Sequence, residues 1–554
     1  MRSRPDSPTP PWAWVALGLV ILFVVAERIR LLNLPLERDE GEYAYIGQLM
    51  LQGIAPYKLA YAIKLPGTAA VYAVSMALFG QTAVGIHLGL LLANVAAIVL
   101  LFLLGKRWLG GGAGLVAAGV YAILSLGWCC SGSAAHATQF IMPAALGGIL
   151  LLQRGLQSGR RATLFCSGLL LGWAFVLKQP GIVFTGFGAV SLAAHEWKAQ
   201  PRQWRAILEK AAAYSLGAIL PFAVLCLIVW RAGVFDRFWY WSFTVARGAW
   251  TPWPTALSNL AGCVRWWKIS GELPFWVAAG LALAAAWWMR LVQPVRFDFI
   301  AFCAASILGT SLSLRFNTHY FVLSLGAVGL LIGAGLMEIR RLMIEAKLPI
   351  HVSPFLVFLF CGMCGYALWS DSAYFFTDSS EQVGRDLAFG NPFIEAEAVA
   401  EFIKKNSAPD SRVAVLGSEP EIYFLSHRHS ATGHVSVYLL TAGLPWSHAL
   451  QEEMAREITN AAPEYIVLVR CNFSWLMPDG GDYTILKTMA PYINRHYELT
   501  GLVLCSENLG EPTYYWGADA LAPRPELTPN RNCLFVYKRK TPQSSPSPPA
   551  PAEK

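Results

Sequence analysis

Two carboxylates and a lysine near the start of the chain have the right chemical types to carry out a reaction. Asp39 and Glu40 are adjacent in the segment RDEGEYA, and Lys64 begins the triplet Lys-Leu-Pro. Adjacent carboxylates can supply a general base, ligands for a divalent ion, or both. A lysine held next to a proline-started helix can neutralise a phosphate. These residues predict chemistry on a phosphate-bearing molecule.

A purely structural role for the acidic residues is also open. Asp39 precedes a helical pattern, and Glu42 stands three positions further on, as in a capping box. Such a cap would explain Asp39 and Glu42, but it would leave Glu40 and Lys64 without a role.

The elements that must position these groups are predicted to be membrane helices. The chain has 554 residues, of which 55% are hydrophobic and 14% are charged, whereas soluble domains have about 25% charged residues. Eleven apolar segments approach the length that a membrane span requires. They are residues 11–27, 83–104, 111–128, 136–153, 162–178, 181–195, 211–230, 274–289, 297–314, 319–337 and 350–369. The apolar stretch Pro66 to Phe79 is short for a span, and we expect an interfacial helix there.

Lysines and arginines fall on alternate connections, so we expect those connections to be cytoplasmic. An odd number of spans then places residues 31–82, 231–272 and 370–554 on the outer side of an inner (plasma) membrane. Most of the basic residues behind the net charge of +8 lie in the short connections that we expect to be cytoplasmic. No basic-aromatic platform of the nucleic-acid-binding kind is present, so we expect membrane lipids and no nucleic acid as partners.

The C-terminal part has a different pattern. Helical and strand patterns alternate there, which predicts an extracytoplasmic α/β domain over residues 370–540, following a transmembrane domain over residues 1–369. Residues 541–554 are rich in proline and serine and predict a disordered tail. No Gly-rich nucleotide-binding motif occurs in the domain. Glu419 and Glu421 follow a predicted strand and are expected at a helix start. One disulfide among Cys471, Cys505 and Cys533 is possible, with the pairing undecided.

The order of these motifs resembles the GT-C glycosyltransferases, in particular the dolichyl-phosphate-mannose-protein mannosyltransferase-like and aminoarabinose-transferase-like bacterial membrane proteins. The resemblance covers nearly the whole chain. It is carried by residues 38–44, 64–66, 78–80, 175–181 (FVLKQPG), 235–241 (FDRFWYW) and 319–321 (HYF).

The resemblance implies a polyprenyl-phosphate-sugar donor, an acceptor that is a protein, a lipid or a glycan, and inverting transfer on the outer face. Asp39 would be the base that deprotonates the acceptor hydroxyl, and Glu40 would support it or share a divalent ion. Relatives often have an acidic residue where this chain has GSAAHATQF (132–140). His136 could therefore be a third metal ligand, or only a helix-start residue.

The resemblance also implies contacts with the donor phosphate. Lys64 would hold the phosphate, and Arg315, His319 and Lys178 would be further contacts. For Lys178, a charge at a helix end is the alternative, and for Arg315, a basic side chain that snorkels to the interface.

Two other classes of protein remain as alternatives. A non-enzymatic carrier of lipid-linked sugars or solutes would be expected to show internal repeats and charges near the middle of the membrane. The chain shows no internal repeat, and its charges cluster at one surface. A sensor or assembly protein would leave Asp39, Glu40 and Lys64 without a function.

Overall fold

The structure is a computed structural model that describes residues 10–198, 203–248, 251–347, 352–477, 481–506 and 511–541. The chain divides into two compact units, Met1–Ala388 and Phe389–Lys554. The change in composition had placed this boundary after residue 369. Most of the predicted tail, and residues 199–202 of one predicted basic connection, lie outside the described residues.

All regular secondary structure in the described part of the first unit is helical. Its α-helices, in chain order, are α1 Pro11–Arg30, α2 Arg38–Leu51, α3 Gly67–Phe79, α4 Ala83–Leu109, α5 Gly111–Leu126, α6 Ala137–Ser158, α7 Arg161–Leu177, α8 Ile182–Lys198, α9 Trp204–Arg231, α10 Phe235–Trp239, α11 Ala246–Gly248, α12 Trp253–Ile269, α13 Leu273–Ala285, α14 Arg296–Ser311, α15 Val322–Glu345, α16 Val352–Ser370 and α17 Ser380–Ala388. A π-helix, Tyr240–Val245, joins α10 to α11.

Each of the eleven predicted membrane segments coincides with a helix of this unit. Five helical segments have at least 18 residues and enough apolar character to cross a membrane. They are Pro11–Arg30, Ala83–Leu109, Ala137–Ser158, Trp204–Arg231 and Thr318–Glu345. A count of eleven spans therefore stays a prediction. The predicted outer loop 231–272 is largely helical, and the stretch before Gly80 forms α3.

Small residues allow the helices of this unit to approach closely. A Cβ atom placed on Gly172 of α7 would lie 2.1 Å from the carbonyl oxygen of Ala218 in α9. Because lipid tails are as apolar as the helix surfaces, tight backbone packing of this kind is a main source of helix association in a bilayer.

The second unit contains a mixed six-stranded sheet with helices. Its elements are α18 Phe393–Asn406, β1 Arg412–Leu416, α19 Glu421–Ser426, β2 His429–Ser430, α20 Ser447–Ala461, β3 Tyr465–Arg470, α21 Asn472–Trp475, α22 Thr484–His496, β4 Tyr497–Leu504, β5 Thr513–Trp516 and β6 Cys533–Arg539. The strand order is β2-β1-β3-β6-β4-β5. β1 pairs in parallel with β2 and β3, and the other pairings are antiparallel.

The predicted fold class, a polytopic helical membrane protein with a C-terminal α/β region, is confirmed by these elements. Glu421 is the first residue of α19, as the sequence predicted. The three cysteines of this unit are buried free thiols, so the structure forms no disulfide among them.

Candidate active site

A capping box fixes the start of α2. Glu37 is the N-cap, and its Oε1 accepts a hydrogen bond from the Glu40 amide at 2.9 Å. In return, the Glu37 amide donates to Oε2 of Glu40 at 3.2 Å. The alternative in which Asp39 and Glu42 form the cap is therefore wrong by two residues. Because Glu37 and Glu40 satisfy the helix start, the Asp39 and Glu42 carboxylates are available for other contacts.

Both of these carboxylates contact Lys64. Its Nζ lies 2.7 Å from Oδ1 of Asp39 and 3.2 Å from Oε1 of Glu42. It also lies 4.8 Å from the centre of the Tyr43 ring. The Lys64 side chain is 8% exposed, whereas Asp39 keeps 18% of its surface in contact with solvent. Asp39 is thus the accessible member of a buried ion-pair cluster.

Glu40 points away from this cluster and is fully buried. Its Oε1 accepts a hydrogen bond from the Ala135 amide at 2.6 Å and lies 3.1 Å from Nε2 of His87. These contacts fix the backbone directly before His136. The role of Glu40 as a catalytic group or metal ligand stays a prediction, but its carboxylate oxygens already have partners in the protein.

His136 and His319 meet Asp39 on its other side. The two imidazole rings stack with centroids 3.9 Å apart and an interplanar angle of 16°. One potential ligand atom from each of Asp39, His136 and His319 lies within 4.8 Å of the other two. His136 Nδ1 is 3.9 Å from Oδ2 of Asp39 and 3.6 Å from Oε1 of Glu37. It is buried, with no hydrogen-bond partner among the described residues.

Lys178 follows the last residue of α7 in an extended conformation. Its Nζ lies 3.5 Å from Nε2 of His319 and 4.6 Å from the centre of the Tyr320 ring. The residue is 5% exposed, and among the described residues no carboxylate forms a salt bridge with it. A buried cation with no carboxylate in direct contact favours an anionic ligand beside it.

The first turn of α3 holds the end of α7 next to the Lys64 peptide. Thr68 Oγ1 donates to the Leu177 carbonyl at 2.9 Å, which satisfies a carbonyl that the helix end leaves open. Gly67 is required at this contact because a Cβ there would lie 2.4 Å from the Val176 carbonyl oxygen. The two lysines therefore reach one site from segments more than a hundred positions apart in the sequence.

Arg315 lies in the half-buried turn between α14 and α15. Its amide donates to Ser313 Oγ at 3.5 Å, and its carbonyl accepts a hydrogen bond from the Asn259 side chain at 2.9 Å. A phosphate contact from Arg315 stays a prediction.

Burial and neighbouring charges set the ionisation of the cluster. Burial disfavours the charge on Asp39, but Lys64 and then Lys178 outweigh it and lower the pKa of this carboxyl below its ordinary value. Burial raises the pKa of Glu42 despite the contact with Lys64. Burial also lowers the pKa of His136 to about 4. His136 is therefore neutral at physiological pH, the form in which imidazole binds metal ions.

Glu42 and His87 are participants that the sequence analysis did not assign to the site. Glu42 is one helical turn from Asp39 and so shares its face, a signal that the capping interpretation obscured. His87 gave no local signal because its partner, Glu40, lies 47 positions earlier in the chain.

The chain is similar in sequence to one protein family and to several individual proteins. Residues 64–230 match the family of dolichyl-phosphate-mannose-protein mannosyltransferases. The chain is 30% identical over 278 residues to the undecaprenyl phosphate-alpha-4-amino-4-deoxy-L-arabinose arabinosyl transferase of Pseudomonas aeruginosa, a match covering 47% of this chain and 48% of that relative. It is 28% identical over 310 residues to the protein of the same name from Pseudomonas paraeruginosa, covering 52% of each chain. The matched part of the chain thus spans about half the length of these relatives.

Two solved structures resemble the protein over most of its length. ArnT from Cupriavidus metallidurans, bound to undecaprenyl phosphate, superposes with a TM-score of 0.58 at 14% identity, covering 95% of this chain and 98% of ArnT. The chain therefore shares the fold of ArnT. The oligosaccharyltransferase AglB from Archaeoglobus fulgidus, in complex with dolichol-phosphate, gives a TM-score of 0.50 at 13% identity, covering 92% of this chain and 74% of AglB. The resemblance inferred from the sequence motifs is confirmed, and at these identities the solved structures establish the fold alone.

Proposed function

We propose that the protein is an integral membrane glycosyltransferase that moves a sugar from a polyprenyl-phosphate-linked donor to an acceptor outside the cytoplasm. The observation that carries this proposal is the buried Lys178, which has no carboxylate partner in the described part of the chain and lies beside the Asp39–Lys64 ion pair. A phosphate next to Lys178 would give its ammonium group a direct anionic partner. The names of the arabinosyl transferase relatives support undecaprenyl phosphate as the carrier.

The reaction needs a base and neutralisation of a phosphate leaving group. The acceptor hydroxyl attacks the anomeric carbon as the bond to the donor phosphate breaks, which inverts the configuration. Asp39 takes the hydroxyl proton, and the lysines neutralise the charge that develops on the leaving phosphate. In the structure Lys64 holds Asp39 at 2.7 Å. We therefore propose that the donor phosphate draws Lys64 away from Asp39, with Glu42 keeping the lysine nearby.

Asp39, His136 and His319 fit a divalent metal ion. Neutral imidazole and carboxylate are suitable ligands for zinc and neighbouring transition metals, and Nδ1 of His136 is buried without a partner among the described residues. A bound ion would add positive charge next to the donor phosphate. Glu40, one of the three ligands that the sequence suggested together with Asp39 and His136, contacts Ala135 and His87.

The site is proposed to face the outside of the cell. His136 precedes α6, Lys178 follows α7 and His319 precedes α15. α15 has Arg341 near its other end. α4, which holds His87 near its start, has Lys106 and Arg107 in its last turn. Basic connections favour the cytoplasm.

Transfer from a labelled undecaprenyl-phosphate sugar in proteoliposomes tests the proposal. We expect the wild-type protein to transfer the sugar and the Asp39→Asn variant, which keeps the side-chain volume, to lose nearly all transfer. Equal transfer by both would contradict the role of Asp39. Tight binding of undecaprenyl phosphate without transfer from any sugar donor would favour a carrier instead.

A further inference from the structure

A strained tyrosine lies in the peptide that leads to Lys64. Tyr57 has a φ angle of +67°, a left-handed conformation that bulky residues rarely adopt. Its side chain is almost completely buried, with 1% exposure. Local strain of this kind persists only where the surrounding contacts hold it, and it concentrates at functional sites.

The Tyr57 hydroxyl holds the Lys64 backbone. It donates its proton to the Lys64 carbonyl at 2.9 Å, so the 2.7 Å contact with Ser242 Oγ must have the serine as donor. Ser242 is also buried and lies in the π-helix Tyr240–Val245. A π-helix turn is rare and is frequent at functional sites.

Gln179, the residue after Lys178, joins the same turn from the other side. Its Nε2 donates to the Ile63 carbonyl at 2.7 Å and to the Ser242 carbonyl at 3.2 Å. Gln179, which follows Lys178, and Tyr57, whose hydroxyl holds the Lys64 carbonyl, are thus both bonded to Ser242. Tyr57, Gln179 and Ser242 are called the Ser242 node below.

Aromatic contacts keep the π-helix segment on the Lys64 peptide. The rings of Phe238 and Tyr57 pack edge to face with centroids 5.4 Å apart. Trp241 stacks on Tyr61 at 5.7 Å. These contacts give the Ser242 node a rigid support, as precise positioning requires.

We propose that the three residues of the Ser242 node are positioning residues for the donor phosphate, because they set the separation of the Lys64 and Lys178 ammonium groups without touching the phosphate themselves. This inference rests on the proposed function. The inference extends that function by giving the segment 235–245 the role of holding the Lys64 and Lys178 ammonium groups at a fixed separation. Loss of the node allows the Lys64 peptide to shift, so that the two lysines no longer bind one phosphate together.

The test measures binding of undecaprenyl phosphate to the full-length protein in nanodiscs, without any sugar transfer. We expect Tyr57→Phe, which keeps the ring and removes only the hydroxyl, to weaken binding about five- to tenfold. Ser242→Ala removes the other end of the contact and leaves Tyr57 intact, so it should weaken binding by a similar factor. Tyr214→Phe is a matched control because it removes a buried tyrosine hydroxyl that donates to the Thr185 carbonyl at 2.6 Å, between α9 and α8. Binding by this control should stay within about twofold of wild type.

A double-mutant cycle separates positioning from a general loss of structure. If Tyr57 acts through Lys64, Tyr57→Phe should cause less than about a twofold further loss in a Lys64→Ala background. Unchanged binding by Tyr57→Phe and Ser242→Ala, or the same loss with and without Lys64, would overturn the inference. Failure of the wild-type protein to bind undecaprenyl phosphate would overturn the proposed donor and this inference with it. Binding that follows the expected pattern without any sugar transfer would support the node and contradict only the proposed reaction.

Discussion

Replacing Lys178 or Lys64 with methionine should affect stability and donor binding in different proportions. Lys178 has no salt bridge to lose in the described part of the chain, and its contact with the Tyr320 ring is worth about 0.5–2 kcal/mol. Removing its buried charge offsets that loss and the lost attraction to the Asp39 carboxylate, so Lys178→Met should change the free energy of unfolding by no more than about 1 kcal/mol. A lost charge-assisted hydrogen bond to phosphate costs about 1.5–3 kcal/mol, which corresponds to a roughly 10- to 150-fold weaker affinity.

Lys64→Met should destabilise the protein as well as weaken donor binding. The substitution leaves the Asp39 and Glu42 carboxylates without their shared counter-ion, and Glu42 is only 5% exposed. Breaking a buried ion pair costs about 3–5 kcal/mol, and the lower end applies because Asp39 keeps some contact with water. We therefore expect a loss of about 3 kcal/mol.

Thermal unfolding of the purified variants, followed by tryptophan fluorescence, and titration with undecaprenyl phosphate would measure both effects on the same samples. The decisive comparison is how much stability and how much phosphate affinity each of the two variants loses. A Lys178→Met variant that binds the phosphate as well as wild type would refute the assignment of Lys178. A Lys178→Met variant that loses as much stability as Lys64→Met would show that Lys178 has a structural partner.

Three further predictions concern other groups. Glu40→Gln keeps an acceptor for the Ala135 amide but removes the charge facing His87. Chemical unfolding should therefore show a free energy of unfolding lower by about 1–3 kcal/mol. An unchanged stability would contradict this prediction. His136→Ala should weaken binding of Zn²⁺ at least tenfold in isothermal titration, and absence of Zn²⁺ binding to the wild-type protein would refute the metal site. Burial, followed by the nearby Asp371, raises the pKa of Glu272 to about 8, so its contribution to stability is full below about pH 4.5 and declines as the pH rises towards 8. Glu272→Gln should flatten that part of the melting-temperature profile, and parallel profiles would exclude the effect.

The sequence was sufficient to predict the long apolar helices of the first unit and three of the strands of the second, β1, β3 and β6. Apolar segments long enough for a bilayer and alternating strand and helix patterns are local properties, because each depends on the few residues around it. The positions of Asp39 and Lys64 could be singled out for the same reason, since carboxylates and a lysine next to a membrane segment have few structural roles. The cap of α2 was misplaced because Glu37, Asp39, Glu40 and Glu42 all have side chains that can accept a hydrogen bond from a helix start.

Only the tertiary structure decided which contacts each of these residues makes. The capping box freed Asp39 for Lys64, and Glu40 became buried against Ala135 and His87. The pairing of His136 with His319 also depends on long-range packing, because the packed helices bring together residues 183 positions apart in the chain. The sequence by itself determined which residue types stand at the helix ends. The three-dimensional packing determined which of them share a site, since ion pairing and burial depend on distances that no local pattern encodes.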